Sequence, residues 1–400
     1  MEGTASKVDT MKVGTRVDTA RNDIQVAVEE KHGEVSYLGI PVSELASSWF
    51  IKVLDAVKEH SATDIFVRQN TPVRIGVLKR SFPIIPVIKP TQSEIMKLIE
   101  HCAPKEVKGR ILKESFTGRI LFAFTVQGYG RFRVCLDFDC QGIGFGARVL
   151  PYTIPYIGDL DKFGYMAPIR KLLDFDTRPP KGLILHTGIT GSGKTTLIAS
   201  ELDDFCKKVD GAIYTYENPV EYIHMMNQRA FIRQYEIPTH YSTLLDGLMS
   251  SLLNNLIAVV VGEVKTQEEI HALMNISMRG YLVISTIHTE NVMNTLKFLD
   301  RWGGESNEAW RHQISQSLLA IVSQKLIYKE GHGYILIPEV LVMNNVIRQL
   351  IAKGSFQEIE TGLAGNQFKQ EGSVTFDQVL QDLANKEILT MQEASELKGA

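Results

Sequence analysis

The sequence predicts an α/β protein in which a parallel sheet covered by helices follows a smaller α+β domain. Three observations predict this fold class. After residue 181, strand-like and helix-like segments alternate, which is typical of parallel sheets. Before residue 150, Gly-separated strand-like stretches indicate an antiparallel sheet. Between them, a glycine-rich loop joins an apolar stretch at 181–186 to an amphipathic helix that begins at Lys194.

The composition is that of an ordinary globular protein. The length of 400 residues suggests two to three domains. The fractions of hydrophobic and charged residues, 44% and 22%, are those of a typical globular domain. With a net charge of −3, the chain lacks the overall positive charge typical of nucleic-acid-binding proteins, so no direct nucleic-acid contact is expected. The longest apolar runs, such as 256–261, are too short to span a bilayer, and residues 1–24 lack the apolar core of a signal peptide.

The four cysteines do not form the paired C-x-x-C units of a zinc site. We therefore expect reduced thiols and no structural metal. The cysteines are Cys102, Cys135, Cys140 and Cys206.

The pattern of polarity divides the chain into five segments. We expect a polar, loosely ordered extension, an α+β N-terminal domain, an interdomain linker with several prolines, an α/β core and a mainly helical C-terminal part. Their predicted bounds are 1–48, 49–150, 151–180, 181–330 and 331–400.

Local periodicity places the elements of each domain. In the N-terminal domain we expect helices near 50–57 and 93–102 and strands at 64–67, 73–77, 119–127, 131–138 and 143–150. In the core we expect strands at 181–186, 212–216, 257–262 and 281–287 and helices at 194–208, 242–255, 267–278 and 291–299. From Asn307 onward the spacing of Ile314, Leu318, Ile321 and Leu326 predicts a mainly helical chain.

The glycine-rich loop GITGSGKT at 188–195 is a complete phosphate-binding P-loop, G-x-x-x-x-G-K-T/S. Its glycines let backbone N–H groups converge on phosphate oxygens, Lys194 supplies a point charge, and the Thr195 hydroxyl is a ligand for Mg²⁺. The sequence thus predicts a site for a nucleoside triphosphate and Mg²⁺. The candidate nucleotide contacts are Gly188, Thr190, Gly191, Ser192, Gly193, Lys194, Thr195 and Thr196.

Three polar residues follow predicted strands and should lie at the sheet edge where α/β proteins bind ligands. Glu263 ends an apolar strand and is the candidate for orienting or deprotonating the attacking water, against the alternative of a surface glutamate. Glu217 is placed near the metal or in a solvated loop, and the residues alone do not decide between the two. His288 is either a γ-phosphate contact or an ordinary surface histidine.

The order of four motifs resembles the secretion-ATPase superfamily, in particular PilT-type retraction ATPases and the traffic ATPases of type IV secretion and conjugation. The motifs resemble its Walker A, Asp-box, Walker B and His-box, at 188–195, 216–222, 261–263 and 280–289. The resemblance implies a RecA-like P-loop ATPase domain preceded by a PAS-like domain. The segment 345–354 resembles the retraction branch, whereas 236–240 resembles the type IVB secretion branch.

The same resemblance implies a mechanism. Six subunits would form a cytoplasmic ring at the inner membrane, where ATP hydrolysis moves a membrane-embedded partner. Arg131, Arg133 and Arg148 stand where the family directs arginines toward a neighbour's nucleotide. The alternative for Arg131 and Arg133 is a pair of solvated residues on one strand face.

Several positions depart from the family pattern and remove charge from the nucleotide edge. Asn218 replaces an Asp of the Asp-box, Ile257 replaces the Asp that usually begins the Walker B strand, Thr266 replaces another Asp, and Gln141 stands where an Arg is common. These departures leave open a weakly or non-hydrolysing regulatory subunit that co-assembles with an active paralogue. A third alternative, a RecA-like nucleic-acid translocase, is disfavoured by the net charge and the lack of a basic aromatic stripe.

Overall fold

Two β-sheets organise the part of the chain that the computed structural model describes. The described residues are 39–45, 47–77, 80–111, 118–150, 153–174, 180–224, 229–303 and 307–398. Most of the predicted N-terminal extension, residues 1–38 and 46, therefore lies outside them. Within 39–45, the Ile40 N–H donates to the Thr125 carbonyl at 2.8 Å, and Leu45 is buried in the core of the first sheet.

The first sheet has six antiparallel strands in the order β3-β2-β1-β6-β5-β4. Its strands are β1 (Asp64–Arg68), β2 (Arg74–Val77), β3 (Arg80–Pro83), β4 (Arg119–Val126), β5 (Gly130–Asp139) and β6 (Gly142–Leu150). Three helices accompany it, namely α1 (Ser48–Glu59), α2 (Gln92–Cys102) and α3 (Lys105–Ile111). Alternate strand residues such as Ile65 and Phe132 pack with Phe50 and Ile95 of the helices in one apolar core. The other face carries polar side chains, including the arginines of β5.

The second sheet has seven strands in the order β13-β12-β7-β11-β10-β8-β9, parallel except for the pairing of β12 with β13. The strands are β7 (Gly182–Thr187), β8 (Ala212–Glu217), β9 (Phe231–Glu236), β10 (Leu256–Val261), β11 (Leu282–Ile287), β12 (Leu318–Lys329) and β13 (Gly333–Val342). Alternate residues of the central strands belong to two apolar clusters, one on each face. This double burial explains why the strands are nearly continuous apolar runs. The predicted fold class is confirmed.

Helices connect the strands of the second sheet and continue to the end of the described chain. Before the sheet come α4 (Ile157–Leu160) and α5 (Ala167–Leu173). The helices between its strands are α6 (Lys194–Lys208), α7 (Leu244–Ser251), α8 (Gln267–Met278), α9 (Val292–Arg301) and α10 (Asn307–Ser317). The C-terminal helices are α11 (Asn345–Lys353), α12 (Phe356–Ala364), α13 (Phe376–Asn385) and α14 (Met391–Lys398).

The prediction of helix through Leu318, Ile321 and Leu326 was wrong, because 318–342 forms the antiparallel hairpin of β12 and β13. In β12, Ile321 is buried in the cluster on one face of the sheet, while Ala320 and Val322 are buried on the other. A strand buried on both faces carries apolar residues at consecutive positions, so helical spacing arises within it by coincidence. The boundary predicted at residue 330 falls in the turn of this hairpin.

The parallel register brings the ends of four strands to one edge of the second sheet. Thr187 at the end of β7 is paired with Ile287 at the end of β11. Val261 at the end of β10 is paired with Tyr216 in β8 and Ser285 in β11. The residues that follow these strands therefore meet at the carboxyl edge, as the sequence predicted.

Within the described part of the chain, no helix is both long enough and apolar enough to cross a membrane.

The double burial of β7 gives a test of the fold. Leu185→Ala removes a fully buried side chain from the central strand and is expected to lower the free energy of unfolding by about 2–5 kcal/mol. The matched control, Leu253→Ala, shortens a side chain that is 87% exposed and should change it by less than about 0.5 kcal/mol. Urea unfolding followed by circular dichroism measures both, and equal effects would contradict the assigned core.

Candidate nucleotide site

The loop at 188–195 adopts a conformation that requires its glycines. Gly188 has φ 138° and Gly193 has φ 87°, both in the region that side chains rarely adopt. A Cβ atom at Gly188 would lie 2.5 Å from the carbonyl oxygen of Gln324 and 2.7 Å from the Ser192 hydroxyl. The loop is therefore packed tightly against β12 before it enters α6 at Lys194.

Lys194 lies at the first turn of α6 with its ammonium turned toward the loop. Its Nζ donates to the carbonyls of Gly188 at 2.7 Å and Ile189 at 3.1 Å. Burial lowers the pKa of Lys194, and the charge of Glu263 opposes this shift. Next to it, Thr195 is exposed, while the Ser192 hydroxyl is buried and has no hydrogen-bond partner among the described residues. A buried hydroxyl and an ammonium beside a helix N-terminus suit phosphate oxygens.

Glu263 and His288 meet at the carboxyl edge, as their strand-end positions predicted. His288 Nε2 lies 3.0 Å from Glu263 Oε1, and Lys265 Nζ lies 3.2 Å from the other carboxylate oxygen. Thr286 holds the two loops together, because its hydroxyl donates to the Gly262 carbonyl at 2.6 Å. The pair thus provides a carboxylate and an imidazole at the same edge as Lys194.

Glu217 also lies at this edge, but its carboxylate faces β9. Thr215 donates a hydrogen bond to it at 2.7 Å and Gln234 another at 3.3 Å. Burial raises the pKa of Glu217 to about 7, although both hydrogen bonds act in the opposite direction. The carboxyl group therefore changes charge near neutral pH. The alternative of a fully solvated loop does not describe this environment.

The two arginines of β5 contact the second sheet of the same chain. Arg131 donates to the Val220 carbonyl at 2.8 Å and to Glu236 at 2.6 Å, and this ion pair is mostly buried. Arg133 lies 3.2 Å from a carboxylate oxygen of Glu221. These contacts join the first sheet to the loop that follows Glu217 and to the end of β9. We name these two ion pairs, Arg131–Glu236 and Arg133–Glu221, the interdomain clasp.

Arg148 lies opposite Arg133 in the ladder between β5 and β6 but does not take part in the clasp. Its guanidinium is mostly exposed and lies 3.4 Å from Asp64 within the first sheet. The role of all three arginines at a nucleotide stays a prediction.

Gln324 and Tyr222, two residues outside the predicted site, hold the phosphate-binding loop and the helix that follows it in place. Gln324 donates from its side-chain amide to the Ser192 carbonyl at 2.7 Å. The hydroxyls of Thr196 and Tyr222 lie 2.9 Å apart and link α6 to the loop after Glu217. A signal for Gln324 existed in the sequence, because an amide inside an apolar strand needs a polar partner.

A buried histidine–glutamate pair lies beneath the loop. His186 in β7 and Glu201 in α6 are almost fully buried, with Nε2 and Oε2 3.0 Å apart. On the other side, the Thr187 hydroxyl donates to the Thr289 carbonyl at 2.7 Å, which ties the end of β7 to the residue after His288. These contacts join β7, α6 and the loop that follows β11.

One departure from the family pattern has a local structural role. The Thr266 hydroxyl caps α8 by accepting from the Glu269 N–H, and Glu269 accepts from the Thr266 N–H in return. Such a capping box satisfies two N–H groups at the helix start. Thr266 therefore supports the helix that follows Glu263.

Together the fold and this loop define a P-loop nucleotide-binding protein, and comparison with known proteins identifies its family. The family model described as "Type II/IV secretion system protein" matches residues 145–334. The protein YggR of Escherichia coli is 30% identical over 265 residues, which cover 66% of this chain and 78% of YggR. The chain belongs to this family and is an ATPase.

Named members indicate the class of machine. The type IV pilus retraction ATPase PilT of Pseudomonas aeruginosa is 29% identical over 280 residues, covering 69% of this chain and 77% of PilT. The crystal structure of the pilus retraction motor PilT with bound ADP matches with a TM-score of 0.74 and 26% identity, over 86% of this chain and 96% of that one. The chain is thus a nucleotide-binding member of the pilus and secretion ATPases.

The raised pKa of Glu217 predicts a pH dependence of stability. The native carboxyl group has a pKa of about 7, against an ordinary value of 4.5. Between these two pH values the native state binds more protons than the unfolded state, so the stability falls as the pH rises through this range. Glu217→Gln keeps an acceptor for Thr215 and Gln234 but does not titrate.

The difference in unfolding free energy between the wild type and Glu217→Gln (wild type minus variant) should therefore decrease by about 1–3 kcal/mol between pH 4.5 and 8. Urea titrations at several pH values measure this difference, in which the contributions of other titrating groups cancel. A difference that is constant or rises with pH would contradict the assigned environment.

Proposed function

We propose that the protein is a ring-forming ATPase motor that couples ATP hydrolysis to type IV pilus dynamics or to a related secretion or conjugation machine. The observation that carries this proposal is the meeting of the phosphate-binding loop with the Glu263–His288 pair at one sheet edge. A loop alone binds a nucleotide, whereas a carboxylate at the neighbouring strand end also provides the group that activates water.

Each side chain has a distinct role in the proposed reaction. The loop N–H groups and Lys194 bind the phosphates and stabilise the charge that spreads over the γ-phosphate. Glu263 orients or deprotonates the attacking water, and His288 holds the Glu263 carboxylate and contacts the γ-phosphate. Glu217 provides a second carboxyl group that titrates near neutral pH.

The residues of the site suit a magnesium ion that is coordinated partly by the protein and partly by the phosphates of the nucleotide. Among the described residues, no group of three or more His, Cys, Asp or Glu side chains could hold a metal on its own. Mg²⁺ commonly uses only one or two protein ligands together with substrate phosphates. Thr195, exposed at the start of α6, would hold the ion, which supplies charge neutralisation when bound.

The interdomain clasp supports a link between nucleotide state and domain position. Arg131 and Arg133 are already paired with carboxylates beside the Asp-box loop. A guanidinium binds phosphate oxygens as well as it binds a carboxylate, so the same arginines can exchange Glu236 and Glu221 for a nucleotide's phosphate. In a six-subunit ring, this exchange would change the angle between the two sheets and drive a membrane-embedded partner.

The proposed setting is the cytoplasmic face of the inner membrane, with the protein attached to its partner peripherally. This inference rests on the family and on its relatives that act in pilus retraction. Hydrolysis by this chain itself distinguishes a motor from a regulatory subunit that depends on an active paralogue.

Removing the Glu263 carboxylate tests the proposed reaction. Glu263→Gln is expected to lower steady-state ATP hydrolysis by about 100-fold or more, because a group that activates water contributes about 10²–10⁴ in rate. The affinity for ADP should stay within about three-fold of the wild type. Phosphate release and isothermal titration calorimetry measure the two quantities.

The matched control is Glu268→Gln, which changes an exposed glutamate of α8 and should leave both quantities unchanged. Sedimentation velocity of the wild type with ATP is expected to give the mass of six copies. Equal turnover of the wild type and Glu263→Gln would contradict the role of Glu263. Absence of turnover in the folded wild type would favour the regulatory alternative.

A further inference from the structure

A glutamate lies inside the apolar strand β13. Glu339 is only 9% exposed, and Ile337 and Leu341, the residues two positions away on either side, are buried on the same strand face. Moving a carboxyl group out of water is costly unless hydrogen bonds or opposite charges compensate it. The contacts of this carboxyl group therefore indicate what it does.

Glu339 accepts a hydrogen bond at the start of α9. Its Oε2 receives the N–H of Val292 at 2.7 Å, and both residues are buried. Val292 is the first residue of α9 and lies four positions after His288. Because the first N–H groups of a helix have no partner within it, a carboxylate there satisfies a donor and faces the positive end of the helix dipole. Glu339 thus fixes the point at which the loop of His288 enters its helix.

Two further contacts hold the same loop. Ser323, directly opposite Glu339 in the ladder of β12 and β13, donates from its hydroxyl to the Glu290 carbonyl at 2.9 Å. The Thr289 N–H donates to the Thr187 hydroxyl of β7 at 3.2 Å. The backbone that follows the histidine is thereby attached to three strands, and these attachments limit the directions in which its imidazole can point.

The charged groups around Glu339 come from both strands and helices. Burial is the largest cause of its shift and raises the pKa of Glu339 to about 7. The hydrogen bond from α9 and the charge of Lys325 in β12 act in the opposite direction, while Asp377 of α13 and Glu360 of α12 add to the rise. Glu360 is itself paired with Lys297 of α9 at 3.5 Å. The carboxyl group at the start of α9 therefore changes charge near neutral pH.

We propose that Glu339 is a positioning residue for ATP hydrolysis, which holds the loop at 288–292 so that His288 stays against Glu263. The proposal rests on the proposed function, since it assumes that Glu263 and His288 act on the attacking water and the γ-phosphate. Glu339 acts through His288, whose Nε2 lies 3.0 Å from Glu263. Loss of the anchor displaces the imidazole, and a displacement of about 1 Å can lower a rate by about 100-fold.

A double-mutant cycle of ATP turnover tests this role in full-length protein with Mg²⁺. Glu339→Ala is expected to lower kcat about ten- to a hundred-fold and to change the affinity for ADP by less than about three-fold, because the phosphate-binding loop keeps its own contacts. In a His288→Ala background the same change should lower kcat by less than about two-fold, since no imidazole is left to position. The control Glu308→Ala shortens an exposed glutamate of α10 and should alter neither quantity.

Glu339→Gln provides a second test that keeps the shape of the side chain. Its amide oxygen still accepts from Val292 but never carries a charge. An ionised carboxylate accepts a stronger hydrogen bond and suits the positive end of the helix. The ratio of kcat of the wild type to kcat of this variant should therefore be near one at about pH 5.5 and rise about two- to ten-fold by about pH 8.5. The effects of the other titrating groups cancel in this ratio.

The remaining outcomes overturn either the role of Glu339 or the function on which it rests. The same loss in both backgrounds, or no loss in either, shows that Glu339 only supports the fold, and so does a ratio that is constant or falls with pH. If Glu339→Ala does not fold, the ratio alone decides. Full turnover of His288→Ala shows that the proposed role of His288 is wrong, and a wild type without turnover shows that the proposed function is wrong. In both cases the role of Glu339 is rejected as well.

Discussion

The parallel alignment of β7, β8, β10 and β11 is the constraint on which the site depends. Because these four strands run in one direction and end at one level, the residues after them meet at a single edge of the sheet. The phosphate-binding loop, Glu217, Glu263 and His288 are therefore brought together by backbone pairing. Burial of the sheet on both faces fixes the register, since a slip of one residue would exchange the two apolar faces.

Around this edge, contacts of three kinds hold the site in place. The His186–Glu201 pair and the Thr187–Thr289 hydrogen bond fix the loop from below. The hairpin of β12 and β13 fixes it from the side through Gln324. The interdomain clasp, in contrast, joins the first sheet to the end of β9 and to the loop that follows Glu217 through two ion pairs. The contacts around the phosphate-binding loop are thus made within the second sheet and its helices, whereas the clasp lies between the two sheets.

Much of this arrangement could be predicted from the sequence, because each part rests on a local pattern. The spacing of 188–195 predicted the loop, and an apolar run followed by a polar residue predicted the positions of Glu263 and His288. The partners of Arg131 could not be predicted, since Glu236 lies 105 positions away and the contact depends on how two domains meet. The hairpin was missed for a different reason, because burial on both faces removes the alternation by which a strand is recognised.

The central claim, that the loop binds ATP for hydrolysis at this edge, is tested most directly by phosphate release from purified wild type and Lys194→Ala, with Mg²⁺ and with excess chelator. The account predicts turnover that requires Mg²⁺ and falls by about 100-fold or more in the variant, because Lys194 stabilises charge that develops in the transition state. Equal phosphate release by the two proteins, or release that persists without Mg²⁺, would contradict it.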